Sequence, residues 1–170
     1  MLADLVFIRT LKQTLSNLKV VFPGEATTLC HPWFEAVARL PIRLIQICPE
    51  GFQVNNHYLS KLRMHSAGLM EVSHNLNECV KDADVVYTDC WPGRSTPVEH
   101  ERIRKLFEPF QITKDKLELA KPDCIFLPCP PVTRGEGVSA EAMEQSGEQV
   151  YRAKEHHLHA QNAVLKALLK

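Results

Sequence analysis

The sequence predicts an α/β fold: a three-layer, Rossmann-like domain with a mainly parallel sheet of about five strands and helices on both faces. Two observations predict it. Short β-branched runs alternate with amphipathic segments along the 170 residues. These runs also lack the alternating polarity of half-exposed strands, which is typical of parallel strands buried on both faces. We therefore expect right-handed crossovers, with a ligand site at the edge where the strands end.

The composition fits one globular domain over 1–170. Hydrophobic residues make up 45% and charged residues 24%, which argues against disorder and fibrous repeats. The 20 basic and 20 acidic side chains cancel to a formal charge of +0. No overall attraction for nucleic acid or for an anionic membrane follows from that balance. Because no run of about 18 apolar residues occurs, we also expect no membrane span.

Six cysteines are spread along the chain without a Cys-x-x-Cys pair. An even number of cysteines is weak support for disulfides, and the chain has enough Val, Ile and Leu to form a core without them. The N-terminal segment is too short in apolar residues for a secretory signal. We therefore expect a reduced, cytoplasmic protein.

The first half of the chain contains three predicted strands, each followed by a helix. Leu18–Phe22 is stopped by Pro-Gly, Ile42–Ile47 is closed by Cys-Pro-Glu-Gly, and Leu69–Val72 is a weaker run. Apolar residues at helical spacing predict the helices. These are an opening helix over 2–16 and further helices over Pro32–Leu40, Asn55–His65 and Leu76–Lys81.

The second half continues the alternation. Asp84–Thr88 is apolar and β-branched, Cys124–Leu127 precedes a Pro-rich loop, and Gln149–Tyr151 is a candidate edge strand. Helical spacing predicts the remaining elements. They are helices over Val98–Phe107 and Lys114–Ala120, a helical turn at Ala140–Glu144 and a closing helix over Glu155–Leu169.

The predicted packing places four strands inside the sheet, those that begin at residues 18, 42, 84 and 124. The closing helix is expected to lie across the opening helix. Its apolar residues recur at the spacing of a core-facing stripe. They are Leu158, Ala160, Val164, Leu165 and Leu168.

The loops that follow the strands hold the candidate ligand groups. The loop over 23–33 has one glycine and no G-x-G-x-x-G or G-K-[S/T] element, so we predict no nucleotide cofactor. Thr27 and Thr28 in this loop could either bind a small ligand or only shape the turn. Asp89 directly follows a strand and could hold a ligand ammonium group, or act as a helix cap.

Two further features admit a chemical interpretation. Cys129 lies in a loop with three prolines and is a candidate nucleophile, although the sequence indicates no neighbouring base. The segment Glu155-His-His-Leu-His159 places two histidines on one helix face, but it lacks the H-E-x-x-H arrangement. We therefore favour ordinary helix residues there and predict no metal site.

Six short motifs occur in register along nearly the whole chain. They are Leu2-Ala-Asp-Leu-Val-Phe-Ile-Arg9, Leu18-Lys-Val-Val-Phe-Pro-Gly-Glu25, Cys48-Pro-Glu-Gly-Phe52, Asp82-Ala-Asp-Val-Val-Tyr-Thr-Asp-Cys-Trp91, Phe107-Glu-Pro-Phe-Gln-Ile-Thr113 and Ala120-Lys-Pro-Asp-Cys-Ile-Phe-Leu-Pro-Cys-Pro-Pro131. Each motif alone is weak, but together they resemble the second domain of ornithine carbamoyltransferases. The wider resemblance is to the aspartate/ornithine carbamoyltransferase superfamily.

This resemblance implies half of a two-domain transferase of arginine biosynthesis, with the active site between the domains. The second domain holds the amino acid, so an ornithine-like ligand is expected. Carbamoyl phosphate is expected only together with an N-terminal domain that this sequence lacks. No cofactor is implied, the opening helix corresponds to an inter-domain helix, and a homo-oligomer remains open.

The resemblance also assigns the site residues. Asp89 stands at the family aspartate of T-D-x-W, which faces the substrate amine, and Cys129 stands at the ornithine-loop cysteine, the catalytic candidate. The other substrate-binding candidates are Thr28, Gly93, Arg94, Ser95, Pro128, Pro130, Glu136 and His157.

Two departures from the family pattern affect the chemistry. Pro128 replaces the histidine of H-C-L-P, and His157 falls at the arginine of E-N-R-L-H. Losing a preorganised donor typically costs about 2.7–4 kcal/mol of transition-state stabilisation. The sequence therefore predicts the amino-acid-binding half of a divergent carbamoyltransferase, inactive as an isolated chain. The alternative is a non-catalytic relative that binds or regulates.

Overall fold

The computed structural model describes residues 1–92, 96–133 and 135–169. Its centre is a five-stranded sheet in which every pair of neighbouring strands is parallel. The strands are β1 (Lys19–Pro23), β2 (Arg43–Ile47), β3 (Leu69–Ser73), β4 (Val85–Thr88) and β5 (Ile125–Pro128), in the order β3-β2-β1-β4-β5. The predicted parallel α/β fold is confirmed. The strand order reverses between β1 and β4, which is the topological switch point of such a sheet.

Helices cover both faces of the sheet. They are α1 (Leu2–Lys12), α2 (Cys30–Val37), α3 (Asn56–Arg63), α4 (Leu76–Val80), α5 (Pro97–Phe107), α6 (Lys114–Leu117), α7 (Ala140–Ser146) and α8 (Gln149–Leu168). Alternate residues of the strands enter two separate cores. Val85 and Tyr87 join the core beneath α2, whereas Val86 and Phe126 join the core on the opposite face. The two cores explain why the central strands lack polar alternation.

Side-chain caps fix where several helices begin. Asn55 Oδ1 accepts a hydrogen bond from the His57 amide, and Asn75 Oδ1 accepts one from the Glu78 amide. Thr96 Oγ1 accepts one from the Glu99 amide, directly before the Pro that opens α5. A polar side chain at this position satisfies an amide that the helix leaves free.

Two sequence predictions about the sheet are wrong. β5 is an edge strand, not an interior one, because the described residues after it form helices and add no further strand to the sheet. Gln149–Tyr151 is not a strand but the first turn of the 20-residue α8. Three residues cannot distinguish the two periodicities, and here Val150 and Ala153 are buried at helical spacing. Gln149 nevertheless caps the sheet edge, since its Oε1 accepts a 3.2 Å hydrogen bond from the Phe126 amide.

The two terminal helices pack together as predicted, but their extents differ from the prediction. α1 ends at Lys12, and Gln13 adopts a left-handed conformation (φ 61°) that stops the helix. The predicted core stripe of α8 is largely exposed: Leu158 is 63% accessible and Leu168 is 77% accessible. Periodicity predicts an apolar face but not what covers it. Over the described residues, no helix is both long and apolar enough to cross a membrane.

Candidate functional site

The loops that follow β1, β4 and β5 meet at the carboxyl edge of the sheet, around Asp89. Thr27 Oγ1 donates a 2.7 Å hydrogen bond to Asp89 Oδ2, and the Cys90 amide donates one of 2.7 Å to Asp89 Oδ1. Both carboxylate oxygens are therefore oriented, and each keeps a lone pair for a ligand. The predicted contact Thr28 is exposed, while its neighbour Thr27 makes the contact with Asp89.

Gly24 allows the first loop to approach this carboxylate. A β-carbon at position 24 would lie 2.9 Å from the Phe22 ring and 3.5 Å from Asp89 Cβ. Any side chain there would press against the ring and crowd the aspartate. The Pro-Gly turn after β1 thus sets the distance between the two loops.

Cys129 follows β5 and is held beside β4, because its amide donates a 3.0 Å hydrogen bond to the Thr88 carbonyl. Burial raises the pKa of the Cys129 thiol, and this effect outweighs the opposing influence of the nearby Tyr87 hydroxyl. Burial also raises the pKa of Tyr87, whose hydroxyl donates to Asp4 Oδ2 at 3.2 Å. Both groups are thus kept protonated, and among the described residues no hydrogen bond joins the thiol to a base. The geometry favours Cys129 as a wall of the site over a nucleophile.

Glu136 brings a second carboxylate to the same cleft. Gln111 Nε2 donates to the carbonyls of Gly135 (2.9 Å) and Glu136 (2.6 Å) and so fixes the loop that carries it. The Glu136 carboxylate lies 3.3 Å from His100 Nε2, and its side chain is 21% accessible. The carboxylate is therefore fixed in place but still reachable from solvent.

The cleft between these groups is narrow. Its lining includes Asp89, Cys129 and Glu136, and it encloses about 10 Å³, room for about one water. Trp91 closes one side: a β-carbon on Gly137 would lie 3.5 Å from the Trp91 Nε1 atom. The cleft between the described residues is too small to enclose an amino acid. The predicted contacts at 93–95 (Gly93, Arg94 and Ser95) lie outside the described residues.

The remaining predicted residues lie around the cleft or away from it. Pro128 ends β5 and is buried, and Pro130 is exposed in the loop that follows. His157 lies on α8, where it lines a separate groove between α1 and α8. Its Nε2 atom is buried 3.5 Å from Asp4 Oδ1, too poorly aligned to form a hydrogen bond. His157 therefore lies outside the cleft, with Asp4 between it and Tyr87.

The histidines at the start of the predicted closing helix do not form a metal cluster. His156 Nδ1 donates to the Arg152 carbonyl at 2.9 Å, and the ring packs edge-on against Phe7. Within the described ranges, no group of three or more His, Cys, Asp or Glu side chains is arranged to hold a metal ion.

Sequence reasoning did not find every residue around Asp89. Thr27 and Thr28 are adjacent and chemically identical, and only Thr27 points at the aspartate. Which of the two does so depends on the backbone conformation of the loop, which the sequence does not reveal. The sequence pattern indicates only that Tyr87 belongs to an apolar strand. Its only polar signal is a hydroxyl next to the loop that it supports.

A parallel sheet with Asp89 at its switch point and Glu136 in the loop after β5 has the architecture typical of Rossmann-like domains that bind small ligands. The comparisons with known proteins agree. The profile of the aspartate/ornithine carbamoyltransferase Asp/Orn binding domain matches residues 16–168. The chain belongs to the aspartate/ornithine carbamoyltransferase family.

Individual relatives are similar over nearly the whole chain. It is 36% identical to the ornithine carbamoyltransferase of Pyrococcus horikoshii over 171 residues, which is 99% of this chain and 54% of that protein. The solved ornithine carbamoyltransferase of Pyrococcus furiosus superposes with a TM-score of 0.86 at 36% identity, over 96% of this chain and 53% of that one. The anabolic enzyme of Campylobacter jejuni gives 0.87 at 28% identity, over 98% and 56%. The chain thus spans about half the length of these relatives.

Proposed function

We propose that this chain is the amino-acid-binding half of a divergent ornithine-type carbamoyltransferase, and that Asp89 receives the side-chain ammonium group of the ligand. The observation that carries the proposal is the fixed carboxylate at the switch point, oriented by Thr27 and by the Cys90 amide. Glu136 adds a second negative charge to the cleft. This charge pattern favours a cationic amine over a phosphate.

The other predicted contacts complete this proposed site. Arg94 is the candidate partner for the carboxylate of the amino acid. Thr28, Gly93, Ser95, Pro128 and Pro130 are proposed to shape the rim, and Cys129 to form an apolar, polarizable wall. No cofactor is needed for binding of this kind.

Carbamoyl transfer would form a C–N bond to the neutral ligand amine and break the C–O bond to phosphate. Charge develops on the carbonyl oxygen and on the leaving phosphate, and preorganised donors stabilise it. Pro128 has no side-chain donor, and His157 lies outside the cleft. The proposal is therefore that the isolated chain binds the amino acid without catalysing transfer.

The groove between α1 and α8 is the proposed docking surface for a carbamoyl-phosphate-binding half. It measures about 450 Å³ and is lined mainly by apolar residues, with Leu2 51% and Leu165 55% accessible. The size of the chain supports this, since it covers about half of its relatives. Carbamoyl phosphate would be bound only in that assembly, and a homo-oligomer is a further proposal.

The free thiols of all six cysteines fit the proposed reduced, cytoplasmic setting.

A second candidate is a non-catalytic binding or regulatory protein of the same family. Pro128 favours this candidate, because its side chain can neither donate nor accept a hydrogen bond at the position where the family pattern has a histidine. The two candidates differ in whether a supplied carbamoyl-phosphate half restores transfer.

An NMR titration with L-ornithine tests the proposed site. We expect shifts confined to 89–95 and 129–137, with a Kd of about 1 mM, because exposed ion pairs contribute only about 0–1 kcal/mol each. Asp89→Asn should abolish the shifts. Asp115→Asn makes the same change on the exposed start of α6 and should preserve them. Saturable shifts elsewhere would contradict the proposal.

A further inference from the structure

Gln46 is a fully buried amide in the middle of the sheet. It lies in β2 among Leu44, Ile45 and Ile47 and is 0% accessible. A buried amide is unfavourable unless its donors and acceptor are satisfied. Gln46 satisfies both ends, so its position calls for an explanation other than packing.

The hydrogen bonds of Gln46 join two loops at the ligand edge. Its Nε2 donates to the Gly24 carbonyl at 3.0 Å and to the Phe52 carbonyl at 3.3 Å. Its Oε1 accepts from the Val54 amide at 2.8 Å. Gly24 belongs to the loop after β1, and the other two residues belong to the loop after β2.

The backbone reinforces this connection. The Ala26 amide donates a 2.9 Å hydrogen bond to the same Phe52 carbonyl, and the Gly24 amide donates one of 2.9 Å to the Ile47 carbonyl. The residue after Ala26 is Thr27, whose hydroxyl orients Asp89. The amide of Gln46 thus lies at the base of the loop that sets the geometry of the carboxylate.

We propose that Gln46 is a positioning residue for the ligand site, and that it acts through Thr27. It does not touch the ligand, because it is buried beneath the two loops. By fixing Gly24 and Phe52 it holds the Thr27 hydroxyl within hydrogen-bonding distance of Asp89. The inference rests on the proposed function for its effect on affinity, but not for its effect on Asp89 itself.

The test compares Gln46→Met, which keeps the side-chain length without its hydrogen bonds, with Thr27→Ala and with the double variant. The ligand-free readout is the 13C resonance of the Asp89 carboxyl carbon. We expect both single variants to move it in the same direction, and the double variant to move it no further than Thr27→Ala. Gln145→Met makes the same exchange on an exposed position of α7 and should leave it unchanged.

Affinity for L-ornithine gives the second readout. Gln46→Met should weaken binding about 5-fold in the wild-type background, the value of roughly one hydrogen bond. In the Thr27→Ala background it should change binding less than about 2-fold, since residues that act through one another are not additive. A purely structural residue would lower the melting temperature without this dependence on Thr27.

The outcomes separate the two proposals. If Gln46→Met lowers stability but leaves the Asp89 resonance and ornithine affinity unchanged, the positioning inference is overturned. If the wild type does not bind ornithine, the proposed function fails, and the Asp89 resonance alone then decides the inference. Should Gln46→Met not fold, Gln46→Asn keeps a neutral amide that is one methylene too short to hold both loops. It should move the resonance in the same direction, and an unmoved resonance overturns the inference.

Discussion

The Thr27 hydroxyl donates a 2.7 Å hydrogen bond to Asp89 Oδ2 across the point where the strand order reverses. The two residues are far apart in sequence and belong to loops after adjacent strands, β1 and β4. The hydrogen bond fixes the orientation of the Asp89 carboxylate at the switch point of the sheet. The proposed binding of an amine depends on it.

The first prediction concerns Thr27. Thr27→Val removes the hydroxyl at constant shape and should weaken ornithine binding about 5-fold, because one donor to the carboxylate is lost. Thr28→Val makes the same change on the exposed neighbour, which lies on the proposed rim without orienting Asp89, and should weaken binding less. Titrations of both variants measure the effect, and a larger loss for Thr28→Val would show that Thr28, not Thr27, supports the site.

The second prediction concerns Cys129. Since burial raises the pKa of its thiol, alkylation by iodoacetamide at pH 7.5 should be slower than that of a free cysteine with a pKa of about 8.5. Tyr87→Phe removes a nearby hydroxyl that lowers this pKa, so the rate should fall further. Peptide mapping by mass spectrometry measures the rate at each cysteine. Fast alkylation of Cys129 at neutral pH would instead support a nucleophile.

The third prediction concerns the pH dependence of stability. Hydrogen bonds from Arg43 lower the pKa of Glu71 in the folded chain. A depressed carboxyl pKa contributes stability above the unfolded value of about 4.3, and that stability is lost as pH falls through the folded pKa. Both side chains are more than 40% accessible, so the contribution is about 0–1 kcal/mol.

Urea unfolding of Glu71→Gln tests this contribution. The variant should be slightly less stable than the wild type at pH 7, and the difference should vanish at about pH 2, where the wild-type carboxyl is protonated. High salt should shrink the difference at pH 7. A difference that persists at low pH would mean that Glu71 acts by packing.

The fourth prediction separates the buried and exposed parts of α8. Val150→Ala should cost about 1–2 kcal/mol of unfolding free energy, because Val150 is buried against the sheet. Leu168→Ala should change it by less than about 0.5 kcal/mol, since that leucine is 77% accessible. Equal losses would show that the end of α8 packs on the same chain.

The fifth prediction concerns activity. The purified chain should form no citrulline from ornithine and carbamoyl phosphate, because Pro128 and His157 replace the donors that the family pattern supplies. A coupled citrulline assay measures this. A turnover of about 1 per second that disappears in Asp89→Ala would contradict this prediction.

The sequence was sufficient to predict the five strands of the sheet and to place Asp89 at its carboxyl edge. The β-branched runs around Val85 and Ile45 have one stable environment, a strand buried on both faces, and a polar residue after such a strand must face the ligand edge. The order of the strands is harder to predict, because it depends on which strand each long crossover connection places next to which. That is why β5 was predicted inside the sheet and lies at its edge.

Side-chain partners were harder to predict because they depend on backbone phase. Thr27 and Thr28 have the same chemistry, and one peptide unit decides which of them meets Asp89. Gln46 interrupts an apolar run and carries no sequence signal of the loops it joins. The leucines of α8 show the converse case, since a regular apolar stripe predicted burial that the described chain does not provide.

The comparison of L-ornithine with L-norvaline tests the central claim most directly. Norvaline keeps the amino-acid head and carbon chain but lacks the terminal amine. If Asp89 holds that amine, ornithine should bind the wild type several-fold more tightly, and Asp89→Asn should remove the difference. Equal affinities in the wild type, or tighter binding of carbamoyl phosphate than of ornithine, would contradict the assignment of this site to an amino-acid amine.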